Sequence, residues 1–278
     1  MDKPDSIGAG AGLPQAQLRF VLVEPSHVGN IGSSARAIRS MGFARLCLVA
    51  PRVADFRSAP EAIALAASAA DVLADALVYP TLADALHGAQ LAIACTGYAR
   101  EFAPEPVEVR AAALQAAQIV CAGPAEVAFV FGPERTGLSN RDVQCCHLSC
   151  AIPADPQRGS LNLAQAVQVV AYECRRELLE CARIAHAPPA RRDHTVAPGR
   201  DPDNPATVEQ TEAMFLHLEQ ALVAVGYLDP EEPKHLMARV RRLLLRARPS
   251  ASEIDILRGV ASAMILPRRL RAGGKSKK

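Results

Sequence analysis

The sequence predicts an α/β domain with a parallel sheet, followed by a small all-helical module. Residues 18–24, 46–50 and 126–131 are apolar almost without interruption, as strands are when both faces of a parallel sheet are covered. Segments with apolar residues at helical spacing alternate with these runs, and this alternation is typical of α/β proteins. We therefore expect an α/β domain over residues 18–184.

The first predicted strand leads into a glycine-containing turn and a helix. Gly29 and Gly32 permit close approach of the backbone to a neighbouring element. Apolar residues at helical spacing then predict a helix that ends at Gly42, before the strand at residues 46–50. This strand–helix–strand unit implies a right-handed parallel crossover.

The next elements follow the same order. Residues 60–88 are rich in alanine and predict two short helices, the second capped by Thr81. Residues 91–95 predict a strand that runs into a turn at residues 96–98, and open parallel sheets bind ligands at such strand ends. Residues 107–120 fit another helix.

The most informative segment is the loop between a strand that ends at Ile152 and a helix that begins near Leu161. Two prolines and a glycine exclude regular structure from this loop. Backbone N–H groups therefore remain available at a helix N-terminus, where they can bind polar ligand atoms. Ser160 and Asn162 lie at this point, and the alternative is that Ser160 is only an N-cap.

Composition argues against several classes of protein. No apolar segment suits a bilayer, and residues 1–17 predict a mobile tail and not a signal peptide. Eight cysteines without paired spacing indicate a reducing compartment, so we expect a cytoplasmic protein. The group from Cys145 to Cys150 includes His147 but lacks a second Cys/His pair at finger-like spacing, so we expect no metal site.

A nicotinamide-dependent oxidoreductase is also disfavoured. Such an enzyme needs a Gly-x-Gly-x-x-Gly turn after the first strand and an acidic residue near the end of the second strand. Here the turn is Gly29-Asn-Ile-Gly32, and the second strand ends at Ala50-Pro51.

The C-terminal part differs in charge from the rest of the chain. Residues 185–206 contain five prolines and predict a solvated linker, and three helices are expected between residues 207 and 270. Residues 207–233 hold six carboxylates and no Lys or Arg. From residue 234 to the basic tail at residues 271–278, thirteen Lys and Arg stand against two carboxylates.

This basic end favours a polyanionic partner. Arg239, Arg242 and Arg246 share one face of a predicted helix, and few aromatic residues are present, so contacts should be mainly to phosphate and shape. The alternative is a charged helix face that serves only solubility.

Three loops, taken in order, resemble the motifs of the SPOUT-class RNA ribose 2′-O-methyltransferases. They are Asn30-Ile-Gly-Ser-Ser-Ala-Arg36, Phe131-Gly-Pro-Glu-Arg-Thr-Gly-Leu138 and the segment from Ile152 to Asn162 with Ser-Leu-Asn at its end. The helical extension resembles that of a branch of this family which methylates the ribose of tRNA nucleotide 32, in the anticodon loop. The alternatives are methylation of another RNA, such as rRNA, and a non-catalytic RNA-binding protein on the same fold.

The resemblance implies an α/β fold with a deep C-terminal trefoil knot, a homodimer, S-adenosyl-L-methionine as cofactor and tRNA as partner, with neither DNA nor a membrane. It places the cofactor contacts at Thr96, Gly97, Tyr98, Gly132, Ile152, Gly159, Ser160 and Leu161. It places the catalytic and RNA-orienting positions at Asn30, Arg36, Glu134, Ser160 and Asn162. The family usually has Thr-Ser-Ala-Arg where this chain has Thr96-Gly-Tyr-Ala-Arg100.

The roles within the predicted site follow from side-chain chemistry. Arg36 is often assigned as a base in this family, but its guanidinium stays protonated, so we expect it to bind a phosphate and stabilise developing negative charge. Glu134 is expected either to orient Arg36 or to take the proton. The alternatives are that Asn30 only supports a turn and that Glu134 is a surface carboxylate. His27 is expected to be structural.

Overall fold

The computed structural model describes most of the predicted α/β and helical parts. The described residues are 15–97, 106–155, 157, 160–186, 206–247 and 249–266. The predicted cofactor contacts at Tyr98 and Gly159 lie outside them. So do nearly all of the predicted N-terminal tail and linker, and the whole of the C-terminal tail.

Within the described residues, seven parallel strands form one sheet. They are Leu18–Val23 (β1), Arg45–Val49 (β2), Leu77–Tyr79 (β3), Leu91–Cys95 (β4), Pro106–Glu108 (β5), Val127–Phe131 (β6) and Leu148–Ala151 (β7). Their order across the sheet is β3-β2-β1-β6-β4-β7-β5, and every pairing is parallel. The predicted parallel α/β architecture is therefore confirmed.

The helices cover both faces of the sheet and form the C-terminal part. They are Val28–Ser40 (α1), Pro60–Ala66 (α2), Ala70–Ala74 (α3), Leu82–Leu86 (α4), Val109–Ala122 (α5), Asn140–Gln144 (α6), Leu163–His186 (α7), Val208–Ala224 (α8), Leu236–Ala247 (α9) and Ala251–Ile265 (α10). No helix in these ranges is both long and apolar enough to cross a membrane.

The edge strands were not predicted. Residues 60–88 contain three helices and the strand β3 instead of two helices, and Pro106–Glu108 forms β5 just before a helix that was expected to begin at Val107. Both strands are three residues long. Leu77 and Val78 of β3 are 49% and 46% exposed, so this strand carries no buried-face pattern that a sequence could reveal.

Each face of the sheet has its own apolar core. On one face, the ring of Phe20 lies 5.3 Å from that of Phe43 and 6.2 Å from that of Phe129, beneath α1, α5 and α7. On the other face, α4 and α6 pack over alternate residues of the same strands, such as Val21 and Val130. This alternation explains why the central strands are apolar throughout.

Gly32 allows α1 and α2 to touch through their backbones. A Cβ atom at this position would overlap the backbone carbonyl of Ala62. The sequence prediction of a close approach at Gly32 is thus confirmed, and the neighbour is a helix. This contact holds the N-terminal turn of α1 in a defined position against the rest of the domain.

The C-terminal helices dock directly on the α/β domain. Val208, at the start of α8, is buried in the core beneath α4, and its N–H donates to the carbonyl of Ala89 at 3.0 Å. Glu209 lies 3.1 Å from the ring nitrogen of His87. Helices α8 and α10 pack around a further apolar cluster that includes Phe215.

Candidate active site

The carboxyl ends of β4, β6 and β7 surround a pocket of about 370 Å³. This volume lies in the range of small-molecule sites, roughly 300–1,000 Å³. All the predicted cofactor contacts that belong to the described residues line it: Thr96, Gly97, Gly132, Ile152, Ser160 and Leu161. The structure thus brings together three loops that are distant in the sequence, because parallel strands end at one edge of the sheet.

Glu134 joins the loop after β6 to the start of α1. One carboxylate oxygen accepts hydrogen bonds from the hydroxyl of Ser26 at 2.8 Å and from its N–H at 3.1 Å. The other accepts from the N–H of His27 at 3.3 Å and from the Nδ2 of Asn30 at 3.0 Å. His27 is the N-cap residue of α1 but makes no side-chain cap. Glu134 therefore caps α1 from a different loop, where a negative charge also favours the helix dipole.

Asn162 extends this network to the third loop. Its Nδ2 donates to the Oδ1 of Asn30 at 3.0 Å, and its Oδ1 accepts from the N–H of Ala164 at 2.9 Å. Asn162, and not Ser160, is therefore the capping side chain of α7, which begins at Leu163, close to the start predicted near Leu161. Three of the five predicted catalytic positions form one continuous chain of hydrogen bonds: Asn162, Asn30 and Glu134.

The ionisation of Glu134 follows from these contacts. Partial burial raises the pKa of its carboxyl, but hydrogen bonds from Asn30, from its own backbone and from Ser26 outweigh that effect. The net result is a pKa below the ordinary value. Glu134 is thus a carboxylate with its acceptors occupied, which makes it a weak base and a strong orienting group.

Ser160 lies at the pocket wall with its side chain exposed. Its hydroxyl and its backbone N–H have no hydrogen-bond partner among the described residues. The same is true of the backbone N–H of Leu161. These groups precede α7, where the helix dipole favours polar and negatively charged ligand atoms. The alternative that Ser160 serves only as a cap is wrong, because Asn162 has that role.

Arg36 lies apart from the hydrogen-bonded network. It is exposed on α1, about 9 Å along the helix axis from Asn30 at 1.5 Å per residue. No bond between described residues joins it to Glu134, whose oxygens are occupied by Ser26, His27 and Asn30. The expectation that Glu134 orients Arg36 therefore finds no support, and the guanidinium faces solvent.

Gly132 lines the pocket, and the fold of its loop also requires glycine at this position. A Cβ atom at this position would overlap the backbone of Gly137 and Leu138. The loop between β6 and α6 can fold back on itself only with glycine here. This tight fold directs Glu134 towards α1.

Ser26 was not among the predicted site residues. This residue supplies two of the donors to Glu134, although it lies more than one hundred positions away in the chain. Its only signal in the sequence is its place just before the N-terminus of α1. Cys95 and Cys150 also line the pocket and were not predicted to belong to it.

The predicted RNA-binding arginines lie on α9 and are exposed, namely Arg239, Arg242 and Arg246. Arg241, on the same helix, is different. Its guanidinium makes two hydrogen bonds with Glu212, at 2.5 and 2.7 Å, and lies 4.5 Å from the centre of the Phe215 ring. The acidic helix α8 thus neutralises one arginine of α9 and fixes the helix in place.

Comparison with known proteins identifies both parts of the chain. Residues 17–172 match the SpoU rRNA methylase family, and residues 209–275 match the C-terminal domain of the tRNA methyltransferase TrmJ. The chain is 41% identical to the tRNA (cytidine/uridine-2′-O-)-methyltransferase TrmJ of Yersinia enterocolitica, over 89% of this chain and 91% of that protein.

Solved structures agree with this assignment. TrmJ from Z. mobilis matches with a TM-score of 0.71 and 33% identity, over 90% of this chain and 99% of that one. A probable methyltransferase from Bordetella pertussis is 47% identical with a TM-score of 0.57, over 59% of this chain and 98% of that one. The family resemblance of the three loops and the helical extension is confirmed: the chain is a methyltransferase that belongs to the SpoU methylase family and, within it, to the TrmJ branch.

Proposed function

We propose that the protein transfers the methyl group of S-adenosyl-L-methionine to the ribose 2′-hydroxyl of nucleotide 32 in the tRNA anticodon loop. The observation that carries this proposal is the hydrogen-bonded chain of Asn162, Asn30 and Glu134 beside the pocket. The relatives named above as tRNA (cytidine/uridine-2′-O-)-methyltransferases support tRNA as the substrate. The proposal places the protein in the cytoplasm.

The pocket suits this cofactor in size, polarity and charge. Apolar side chains such as Leu138 and Leu161 form part of its wall. The backbone N–H groups of Ser160 and Leu161 have no acceptor among the described residues, so they can donate to a ligand. The carboxylates of Glu134 and Asp155 also line it and favour a cationic ligand. When bound, S-adenosylmethionine supplies a methyl group on a positively charged sulfur, which an oxygen nucleophile can attack.

The side chains of the network orient the substrate. Each of the two asparagine amides uses one N–H in the network and retains a second donor that can bind ribose or phosphate. The hydroxyl of Ser160 is available at the pocket wall. Holding a 2′-oxygen in line with the methyl group can supply about 7–11 kcal/mol of the barrier. Orientation is therefore the main contribution that we assign to these residues.

Charge stabilisation is assigned to Arg36 and not to Glu134. The carboxylate is held ionised by its donors and is poorly suited to accept a proton. The guanidinium of Arg36 remains protonated and can bind the phosphate next to the target ribose. The arrangement thus favours activation of the 2′-hydroxyl by orientation and electrostatics over a strong general base.

The proposal includes the homodimer and the trefoil knot of the family. Helix α7 and the loop before it expose large apolar side chains, with Leu161 at 36%, Tyr172 at 50% and Leu179 at 38%. A second copy of the chain would cover such a surface. Light scattering should give twice the 29.5 kDa mass of one chain, and a monomer at micromolar concentration would contradict this part of the proposal.

Methyl transfer is tested with purified protein, S-adenosylmethionine and bulk tRNA from cells that lack the gene. Nucleoside mass spectrometry after digestion should show 2′-O-methylated cytidine or uridine, and fragment mapping should place it at nucleotide 32. Transfer to rRNA and not to tRNA would favour the alternative substrate. Binding of tRNA without any methyl transfer would contradict the proposal and favour the alternative of a non-catalytic RNA-binding protein.

Binding of tRNA is tested on the basic face of α9. Replacing Arg239, Arg242 and Arg246 with alanine should weaken binding of all tRNAs and reduce the salt slope by roughly one unit for each arginine that binds a phosphate. Arg183→Ala is the matched control, because Glu180 already pairs with that guanidinium at 2.6 Å. An unchanged salt slope in the triple variant would show that the face serves only solubility.

A further inference from the structure

Two cysteines face each other in the wall of the pocket. Cys95 ends β4 and Cys150 belongs to β7, and the two residues are direct partners across these neighbouring parallel strands. Their side chains therefore lie on the same face of the sheet. The thiol of Cys150 donates to the sulfur of Cys95 at 3.6 Å, and both residues line the pocket.

The backbone geometry already suits a disulfide. Adjacent strands lie about 4.7–4.9 Å apart, and a disulfide requires Cα atoms about 4.4–6.8 Å apart. The sulfurs must approach from 3.6 Å to about 2.05 Å. Rotation of the side chains with a small local shift achieves this, so the strands need not separate.

A covalent bond at this point would reach the pocket directly. The N–H of Thr96, which follows Cys95, donates to the carbonyl of Cys150 at 2.9 Å. A shift of Cys150 is therefore transmitted to the loop of Thr96 and Gly97. In the other direction, the chain runs from Cys150 in β7 to Ile152, which also lines the pocket.

We propose that Cys95 and Cys150 form a redox-sensitive dithiol whose oxidation to a disulfide lowers the affinity of the pocket for S-adenosylmethionine. The effect on affinity rests on the proposed function, whereas formation of the disulfide does not. With an azo oxidant such as diamide, one thiolate adds to the N=N bond and forms an S–N bond. The second thiolate then attacks that sulfur, so that the S–S bond forms, the S–N bond breaks and the hydrazine leaves. Two thiols lose two protons and two electrons, and the azo group is reduced to a hydrazine.

The surroundings of the pair indicate a slow reaction. Burial raises the pKa of the Cys95 thiol well above its ordinary value, and the bond from Cys150 adds to this effect. A thiol reacts as its thiolate, so reaction at Cys95 should be slow and should need an excess of oxidant. Cys95 is partly exposed and Cys150 is buried, so a small oxidant in the pocket should reach Cys95 first.

A second pair of thiols offers an internal comparison. Cys121 on α5 is exposed, and its thiol is hydrogen-bonded to that of Cys181 on α7. Burial and this bond raise the pKa of Cys121 to about 11. Neither residue lines the pocket, so oxidation there should leave cofactor binding unchanged.

The experiment treats the full-length protein with excess diamide, blocks remaining thiols with N-ethylmaleimide and maps linked peptides by mass spectrometry. A peptide that joins Cys95 to Cys150 is expected. Calorimetry should then show at least tenfold weaker binding of S-adenosylmethionine, restored by dithiothreitol. Cys121→Ser should respond to diamide like the wild type, whereas Cys150→Ser should show the same affinity before and after treatment.

The outcomes separate the two proposals. Absence of the Cys95–Cys150 linkage in folded, diamide-treated protein overturns the proposed dithiol, whether or not the protein binds S-adenosylmethionine. A linkage that leaves the affinity unchanged overturns the switch. Failure of the fully reduced protein to bind S-adenosylmethionine contradicts the proposed function, and peptide mapping then still tests the disulfide alone.

Discussion

Replacing Glu134 with glutamine tests whether this carboxylate organises the site. In the wild type it accepts hydrogen bonds from two donors of Ser26, one of His27 and one of Asn30, at distances of 2.8–3.3 Å. Glutamine has the same length but only one acceptor oxygen, and its amide nitrogen is a donor. At least one of the four donors therefore loses its acceptor, and the others bond to a neutral group.

The magnitude follows from the strength of these bonds. A hydrogen bond to a charged group contributes about 1.5–3 kcal/mol and one between neutral groups about 0.5–1.5 kcal/mol. The four donors share one acceptor group, so their losses do not add, and water can reach this partly open site. We expect Glu134→Gln to lower the free energy of unfolding by about 1–3 kcal/mol at neutral pH.

The same substitution should change the dependence of stability on pH. Because the pKa of Glu134 lies below its ordinary value of 4.5 in the folded protein, the unfolded chain binds this proton more readily. The stabilisation is thus complete above that ordinary value and is lost as the pH falls through the folded pKa. The difference between the variant and the wild type should therefore shrink in acid.

Urea denaturation of both proteins at neutral pH and well below pH 4.5 measures this difference. Glu24→Gln is the matched control, because Glu24 forms only an exposed ion pair with Arg52 at 2.6 Å and should change stability by less than about 1 kcal/mol. Misplacement of Asn30 should also lower kcat by about 10²-fold. A stability difference that is the same at both pH values would refute the reasoning.

Two further pairs of substitutions test the packing of the fold and of the C-terminal helices. Gly32→Ala should lower the free energy of unfolding by about 2 kcal/mol or more, because the added methyl group meets the backbone of α2. Gly259→Ala, on the open side of α10, should raise it by about 0.5–1 kcal/mol. Equal effects at the two positions, measured by urea denaturation, would contradict the close helix packing. Arg241→Met should destabilise the C-terminal helices by about 1–3 kcal/mol, because it leaves a carboxylate of α8 without its partner. Arg242→Met, at an exposed position, should change stability by about 0.5 kcal/mol or less, and a similar loss in both variants would show that the ion pair is unimportant.

Several features could be predicted from the sequence because each depends on its own neighbours along the chain. The runs at residues 18–24 and 126–131 are apolar on both faces, which in practice means a parallel sheet beneath two layers of helices. Thr81, Thr207 and Ser250 cap helices where their local sequences suggest a helix start. The three loop motifs are likewise stretches of consecutive residues, and their resemblance to those of a known family led to the correct family.

The short edge strands could not be predicted for an opposite reason. Leu77–Tyr79 and Pro106–Glu108 are strands only because β2 and β7 supply hydrogen-bond partners. Three residues are too few to show a periodicity. Leu77–Tyr79 is apolar throughout, but so short a run cannot be told from part of a buried helix. Their structure is therefore decided by tertiary interactions.

The same distinction applies to the site. The sequence alone identified Asn30, Glu134 and Asn162 as candidates through the family resemblance. Only the tertiary structure shows that Glu134 caps α1, that Asn162 caps α7 and that Asn30 joins the two. Asn30 lies more than one hundred residues from both partners, so no local pattern records which donor meets which acceptor. The direction of each amide, and the ionisation of the carboxylate, depend on neighbours that are in place only after the strand ends have come together at one edge of the sheet.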